Sequence, residues 1–416
     1  MNQNIDNASL NILIVSEVFF PDSEGGAHTY VYHLARSLLS RGHQVSLITI
    51  KAKAELKDKE VVDGINVYRY SVPLKGRLIY LRRPLISAWR AWLIFEKITS
   101  SNNFDILNIH SVLPAVCILK SSAAKKKAKV FTFHASMYQE IIAQKAHKKY
   151  TSAFMLSIIL KIIKWLEKYV LGQCERIIVL SRFSRKQLVD LYSINQDKIK
   201  VVAGAIDTSK FTLAQDKDSV RRQFNLPVEK IILLCVRRLV ARMGLENLIE
   251  AVEYLKEDSV NFMLYIGGRG YLENKLKKLI KDKNLGDHIK LLGFIHNDDL
   301  PRHYRAADLF ILPTKELEGF GLVTLESLSS GVPVLGTSVG GTKEIISKLD
   351  KRFFFANLEP KAMSIDIKRV IEIIKKEPSL PNRCRKLILD NYSWNEKVKE
   401  IEFVFKNAIK EKIIKE

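Results

Sequence analysis

The chain has 416 residues, 47% of them apolar, and a formal net charge of +22. That length predicts two domains, each with its own core, and the composition excludes disordered and fibrous classes. The charge is uneven: residues 1–200 hold 30 Lys and Arg against 15 Asp and Glu, and residues 201–416 hold 37 against 30. The first half therefore points to a polyanionic partner, either nucleic acid or an anionic membrane face. Cys117, Cys174, Cys235 and Cys384 lack metal-ligand spacing. They read as reduced core residues of a cytoplasmic chain. Residues 1–9 are polar, with no basic flank and no long apolar run, so no secretory signal is expected.

Residues 11–15 form an apolar run of strand length. Glu24-Gly25-Gly26-Ala27 follows, then a helical pattern to Arg41-Gly42 and a second strand over 44–50. This is the opening of a doubly wound parallel sheet. The turn is not Gly-x-Gly-x-x-Gly, which argues against a nicotinamide oxidoreductase. Gly25 and Gly26 still suit either a pyrophosphate loop or a plain tight turn. Residues 65–72 alternate as a strand. Strands over 104–109 and 129–133 end at His110 and His134. Ligands gather at the carboxyl ends of parallel strands, although a histidine there also serves structure.

Residues 82–98 carry Trp89 and Trp92 among Arg82, Arg83 and Arg90. Residues 151–171 predict a long helix with too many lysines to span a membrane. Ser157, Lys161, Lys164 and Lys168 share one side of it. Phe154, Leu156, Ile159, Ile163 and Leu166 are among the residues covering the rest. Such a helix either packs on a core or docks on a membrane surface. Strands over 176–180 and 199–204 close the first domain, and polar residues 205–225 read as a linker. Asp216-Lys217-Asp218 within it is a formal Asp-x-Asp, but no strand precedes it, and it is discarded as a metal site.

The second domain repeats the strand–helix rhythm, with strands over 230–236, 261–266, 290–292, 308–312 and 332–336. Arg237-Arg238-Leu239-Val240-Ala241-Arg242-Met243-Gly244 places cations directly after the first of these. Gly267-Gly268-Arg269-Gly270 makes a turn after the second. Glu318 and Glu326 stand eight positions apart, close to two turns of 3.6 residues. The run 319–330 predicts a buried helix, with Glu318 just before it and Glu326 inside it. Gly319 and Gly321 allow a ligand close to the backbone, and the helix N-terminus suits a phosphate. Tyr392-Ser393-Trp394 starts a terminal helix.

Glu-x7-Glu framing Gly319-Phe320-Gly321 resembles the signature of glycosyltransferase family 4. Ala306-Ala307-Asp308-Leu309-Phe310-Ile311-Leu312-Pro313 before it, and Gly331-Val332-Pro333-Val334 and Gly340-Gly341 after it, fit the same family. The resemblance implies an α/β protein of GT-B fold, with two Rossmann-like domains whose parallel sheets face a central cleft. The expected division is an acceptor-binding domain over 1–205, a nucleotide-sugar domain over 206–395, and a helix over 396–416 crossing back to the first. It implies that Gly25 and Gly26 lie near the donor phosphates and His134 by the transferred sugar. His110 is a weaker match on the acceptor side, and the turn of Gly268 lies beside the base and ribose. Glu318 would contact sugar hydroxyls and Glu326 the ribose, with Gly319, Phe320, Gly321, Leu322 and Val323 along the donor. Arg238 aligns with the family arginine that holds the diphosphate. Met243 stands where the family has lysine, so either Arg242 takes over or the site uses fewer charges.

His134, Glu318 and Arg238 are thus the expected catalytic residues. The activity implied is retaining, metal-independent transfer from a nucleotide-sugar donor to a glycan or lipid-linked acceptor, in bacterial surface polysaccharide or glycolipid synthesis. No metal and no cofactor besides the donor substrate is expected. The expected location is cytoplasmic, with peripheral attachment to the inner face of the plasma membrane. A GT-B-like nucleotide-sugar 2-epimerase is an alternative, and a basic nucleic-acid or membrane-binding protein is another. No recognisable nucleic-acid module supports a nucleic-acid partner.

Overall fold

The computed structural model describes residues 8–73, 79–144, 153–258 and 260–415. The chain divides into two compact units, Met1–Gly204 with Trp394–Glu416, and Ala205–Ser393.

Unit 1 begins with β1 (Asn11–Val15), α1 (Gly26–Ser40), β2 (Gln44–Ile50), β3 (Lys59–Val62) and β4 (Ile65–Tyr70). It continues through α2 (Ile79–Thr99), β5 (Ile106–Ile109), α3 (Val112–Ile118), α4 (Ser122–Lys125) and β6 (Ala128–Phe133). Then come α5 (Met137–Gln144), α6 (Ala153–Gly172), β7 (Arg176–Val179), α7 (Arg182–Tyr192) and β8 (Ile199–Val201). The strands form one sheet in the order β3-β4-β2-β1-β5-β6-β7-β8. All pairs are parallel except β3–β4. β1, β5 and β6 are almost wholly buried, as continuous apolar runs become when helices cover both faces.

Register fixes which helices share a face. Leu13 pairs Leu107, Ile109 pairs Phe131, and Phe131 pairs Ile177. These side chains pack with Phe95 of α2, Ile118 and Ala115 of α3, Val170 of α6 and Leu188 of α7. So α2, α3, α6 and α7 cover one face of the sheet.

Unit 2 begins with α8 (Lys217–Gln223), β9 (Ile231–Val236), α9 (Leu245–Glu257), β10 (Phe262–Gly267) and α10 (Glu273–Asp282). It continues with β11 (Ile289–Gly293), α11 (Leu300–Ala306), β12 (Leu309–Leu312), α12 (Leu322–Ser329) and β13 (Val334–Gly336). It ends with α13 (Thr342–Leu349), α14 (Pro360–Lys376) and α15 (Leu380–Asn391). Its five-stranded parallel sheet runs β11-β10-β9-β12-β13.

The terminal helix α16 (Trp394–Lys415) belongs to unit 1. Trp394 lies 5.1 Å from the Tyr30 ring. Glu402 is nearly buried beside Arg41, His43 and Lys406. Despite its burial, the hydrogen bonds from Lys406 and Arg41 hold that carboxyl down at about 2.

Three expectations change. The helix predicted from Gly319 starts at Leu322, because Gly321 sits at φ +93°, outside helical space. Residues 205–225 are part of unit 2 rather than a linker. Asp216 caps α8, accepting from Asp218 N and Ser219 N, and Arg221 is buried against Ala306 O and Asp308. The short antiparallel β3 was not expected, since its half-exposed residues carry little apolar signal. Of the helix predicted from 151, residues 151 and 152 lie outside the described residues.

Candidate active site

In unit 2 the strand order reverses between β9 and β12, so loops leaving their carboxyl ends lie side by side. Doubly wound sheets take ligands at such a switch point. The backbone knits these loops together. Arg237 N donates to Gly267 O and Leu239 N to Arg269 O, each at 2.9 Å. Lys315 N donates to Arg242 O at 2.8 Å, and Gly341 N to Glu318 O at 2.9 Å. A Cβ on Gly268, at φ +135°, would meet Arg237 O at 1.8 Å. The freedom of Gly268 is therefore used for loop-on-loop packing.

Glu318 is nearly buried, 8% exposed, and its carboxylate is paired with Arg237. The same guanidinium reaches Thr314 Oγ1 at 3.3 Å and lies 3.1 Å from Met243 Sδ. Arg237 thus puts a positive charge against the side chain of Met243. Arg242 is buried as well, but its Nη1 donates to the backbone oxygen of Leu317 at 3.0 Å. Arg238 is exposed. The structure brings Arg237 to Glu318. The sequence alone put Arg238 and Arg242 ahead of it, because a doubled arginine after a strand does not reveal which member turns inward.

Within α12, Glu326 accepts a hydrogen bond from Tyr304 Oη at 2.8 Å. Burial pushes the Glu326 carboxyl up to about 7, against the opposing pull of the Tyr304 bond. Tyr304 lies 22 positions upstream, and no sequence signal links it to Glu326. At the start of α12, a Cβ on Gly321 would meet Thr342 Oγ1 at 2.3 Å and Thr324 Oγ1 at 3.2 Å. Both hydroxyls are buried without a hydrogen-bond partner among the described residues. The first-turn N–H groups of Leu322 and Val323 have no carbonyl within the helix to bond. Two open hydroxyls, a helix N-terminus and the Arg237 guanidinium together suit an anion with several oxygens. Phe320 is buried, with its ring 6.2 Å from Tyr392. Gly319 is half-buried between Glu318 and Phe320.

In unit 1 the switch point lies between β1 and β5. Gly25 caps α1 at φ +156°, and a Cβ there would meet His28 Nδ1 at 2.6 Å. Gly26 is the first residue of that helix. His110 and His134 follow β5 and β6, with His110 Nδ1 2.9 Å from His134 Nε2. His110 Nε2 lies 2.7 Å from Asn108 Oδ1. The Asn108 amide donates to Val130 O and Thr132 Oγ1, so Oδ1 is an acceptor. His110 Nε2 must therefore carry the proton, and Nδ1 accepts from His134 Nε2–H. That leaves His134 Nδ1 as an acceptor nitrogen. Burial keeps both rings neutral, holding His110 well below the usual histidine range and His134 down at about 4.

The model of glycosyltransferase family 4 matches residues 24–210, and that of glycosyl transferases group 1 matches 216–388. An uncharacterized glycosyltransferase of Methanocaldococcus jannaschii is 25% identical, over 96% of this chain and 99% of its own. The gpi3 subunit of the Schizosaccharomyces pombe phosphatidylinositol N-acetylglucosaminyltransferase is 23% identical over 96% of this chain and 81% of its own. Among solved structures, the catalytic domain of starch synthase IV from Arabidopsis thaliana, bound to ADP and acarbose, superposes with a TM-score of 0.75. It is 16% identical, over 97% of this chain and all of the other. The two-unit α/β architecture is that of the GT-B glycosyltransferases. With family models covering both units and relatives aligned along nearly the whole chain, the protein is an enzyme of glycosyltransferase family 4.

Proposed function

We propose that the protein transfers a sugar from a nucleoside-diphosphate donor, held by unit 2, to a glycan or lipid-linked acceptor with retention of configuration. The observation that carries this reading is the Arg237–Glu318 pair beside the start of α12, with two threonine hydroxyls that have no hydrogen-bond partner among the described residues. Arg237 and the α12 N-terminus meet the charge of the departing diphosphate, which transition-state stabilisation requires. Glu318 accepts from sugar hydroxyls. Ionised Glu326 accepts from both ribose hydroxyls, oriented by Tyr304. As the bond from the anomeric carbon to the diphosphate breaks, the acceptor oxygen attacks on the same face. The departing phosphate oxygen takes the acceptor's proton. His134 Nδ1 serves hydroxyl recognition on unit 1.

The ADP bound to the starch synthase supports a nucleotide donor. The phosphatidylinositol named for the Schizosaccharomyces pombe relative supports a lipid-linked acceptor. A role in bacterial surface polysaccharide or glycolipid synthesis, at the cytoplasmic face of the plasma membrane, fits this reading. The test is a thermal-shift panel of UDP-, GDP- and ADP-sugars, because a donor that binds only the folded state raises the melting temperature. NMR of the product then reads the anomeric configuration. A shift with one nucleotide class and a retained anomer supports the proposal. No shift with any donor, inversion, or an epimerised sugar formed without acceptor refutes it.

A further inference from the structure

We propose that α2 and α6 form a docking surface for an anionic lipid bilayer. α6 turns apolar residues outward: Phe154 is 75% exposed, Ile162 52% and Trp165 60%, with Ile158 in the same row. Only Leu156, Glu167, Val170 and Leu171 of this helix are buried. α2 repeats the pattern, with Leu85, Trp89 and Leu93 exposed at four-residue spacing. Four-residue steps place such residues on one helical stripe. Both helices cover the same face of the unit 1 sheet, and α3 packs against each of them.

Charge names the occupant. Exposed Arg82, Arg83, Arg90 and Lys97 accompany the α2 stripe, and exposed Lys161 and Lys168 the α6 stripe. The acids of these two helices are engaged elsewhere. Glu96 accepts from the Trp92 indole, while Glu167 is buried and accepts from Met137 N and Tyr192 Oη. An outward face of aromatic and aliphatic side chains edged by cations complements a lipid interface with anionic headgroups. A second copy of this chain would bring like charges together at the same face. No helix among the described residues is long and apolar enough to cross a membrane, so the surface lies on the bilayer rather than in it. The sequence showed the lysine stripe of α6. It did not show that the apolar residues beside it are exposed.

The experiment is co-sedimentation of the full chain with vesicles of phosphatidylcholine alone or mixed with phosphatidylglycerol. Binding is expected to the mixed vesicles and to weaken with salt. The triple substitution Phe154→Ser, Ile162→Ser, Trp165→Ser should lower binding at least tenfold, and so should Lys161→Glu with Lys168→Glu. Both variants should keep the wild-type melting temperature, because the replaced side chains are exposed. Equal binding to both vesicle types, binding to neither, or full binding by the folded triple variant would overturn the proposal. So would a concentration-dependent dimer of the wild type that the triple variant abolishes, which would make a second copy the occupant.

Discussion

Replacing Arg237 tests the charge arrangement most directly. The side chains of Arg237 and Glu318 are 7% and 11% exposed. Arg237→Ala leaves a carboxylate nearly buried without its cation, which costs about 3–5 kcal/mol of stability when a buried pair is broken. If Arg237 also meets the leaving diphosphate, turnover falls about 10²–10³-fold, the scale for one lost electrostatic donor. Stability and catalysis separate through Met243. Its sulfur lies 3.1 Å from Arg237 Nη2, so a lysine at 243 can place its ammonium in the space that the guanidinium leaves. In the double variant Arg237→Ala, Met243→Lys, turnover should recover at least tenfold over the single variant, and the melting temperature should rise. Donor turnover and thermal melting are measured on all three proteins. Near-normal turnover in folded Arg237→Ala would refute the reasoning. Restored melting without restored turnover would reduce Arg237 to a structural partner of Glu318.

Other outcomes follow from the same geometry. Glu326→Ala should weaken nucleotide binding about tenfold or more, the loss of a charge-assisted hydrogen bond of about 1.5–3 kcal/mol, as calorimetry would show. Nucleotide affinity should rise with pH through about 7 as Glu326 ionises. Tyr304→Phe removes the bond that lowers this carboxyl, so the midpoint should move to higher pH; an unmoved midpoint would take Tyr304 out of the site. Gly321→Ala forces a Cβ into the Thr342 hydroxyl at φ +93°. It should cost about 1–3 kcal/mol of strain and abolish the donor-induced thermal shift. His134 is held down at about 4. The unfolded chain therefore binds more protons between that value and its ordinary range near 6.5, and the folding stability due to this ring is complete above about 6.5 and lost as pH falls toward 4. Replacing both His110 and His134 by Gln should flatten that part of the stability–pH curve. Turnover should persist in EDTA, because Arg237 and the α12 N-terminus carry the phosphate charge; a strict Mg²⁺ requirement would refute that assignment.

Much of this protein was legible in the sequence, for local reasons. Continuous apolar runs such as 231–236 and 309–312 form buried parallel strands because helices cover both faces. Glu318 and Glu326 announced themselves by spacing, and the glycines around them by the backbone freedom they confer. Helix starts were less legible, since a left-handed Gly321 delays α12 to Leu322 and the sequence does not print φ. Strand order was decided by the tertiary structure alone. It sets β9 beside β12 and so brings Arg237 to Glu318 across 81 positions of chain. The same is true of Tyr304 with Glu326, and of His110 with His134 beyond the paired strands β5 and β6. These are contacts between loops and helices whose only link is the sheet beneath them. Exposure, too, is a tertiary quantity. Ile158 and Ile159 are chemically identical neighbours on α6, yet Ile158 is exposed and Ile159 only partly so, because the sheet can cover only one side of a helix.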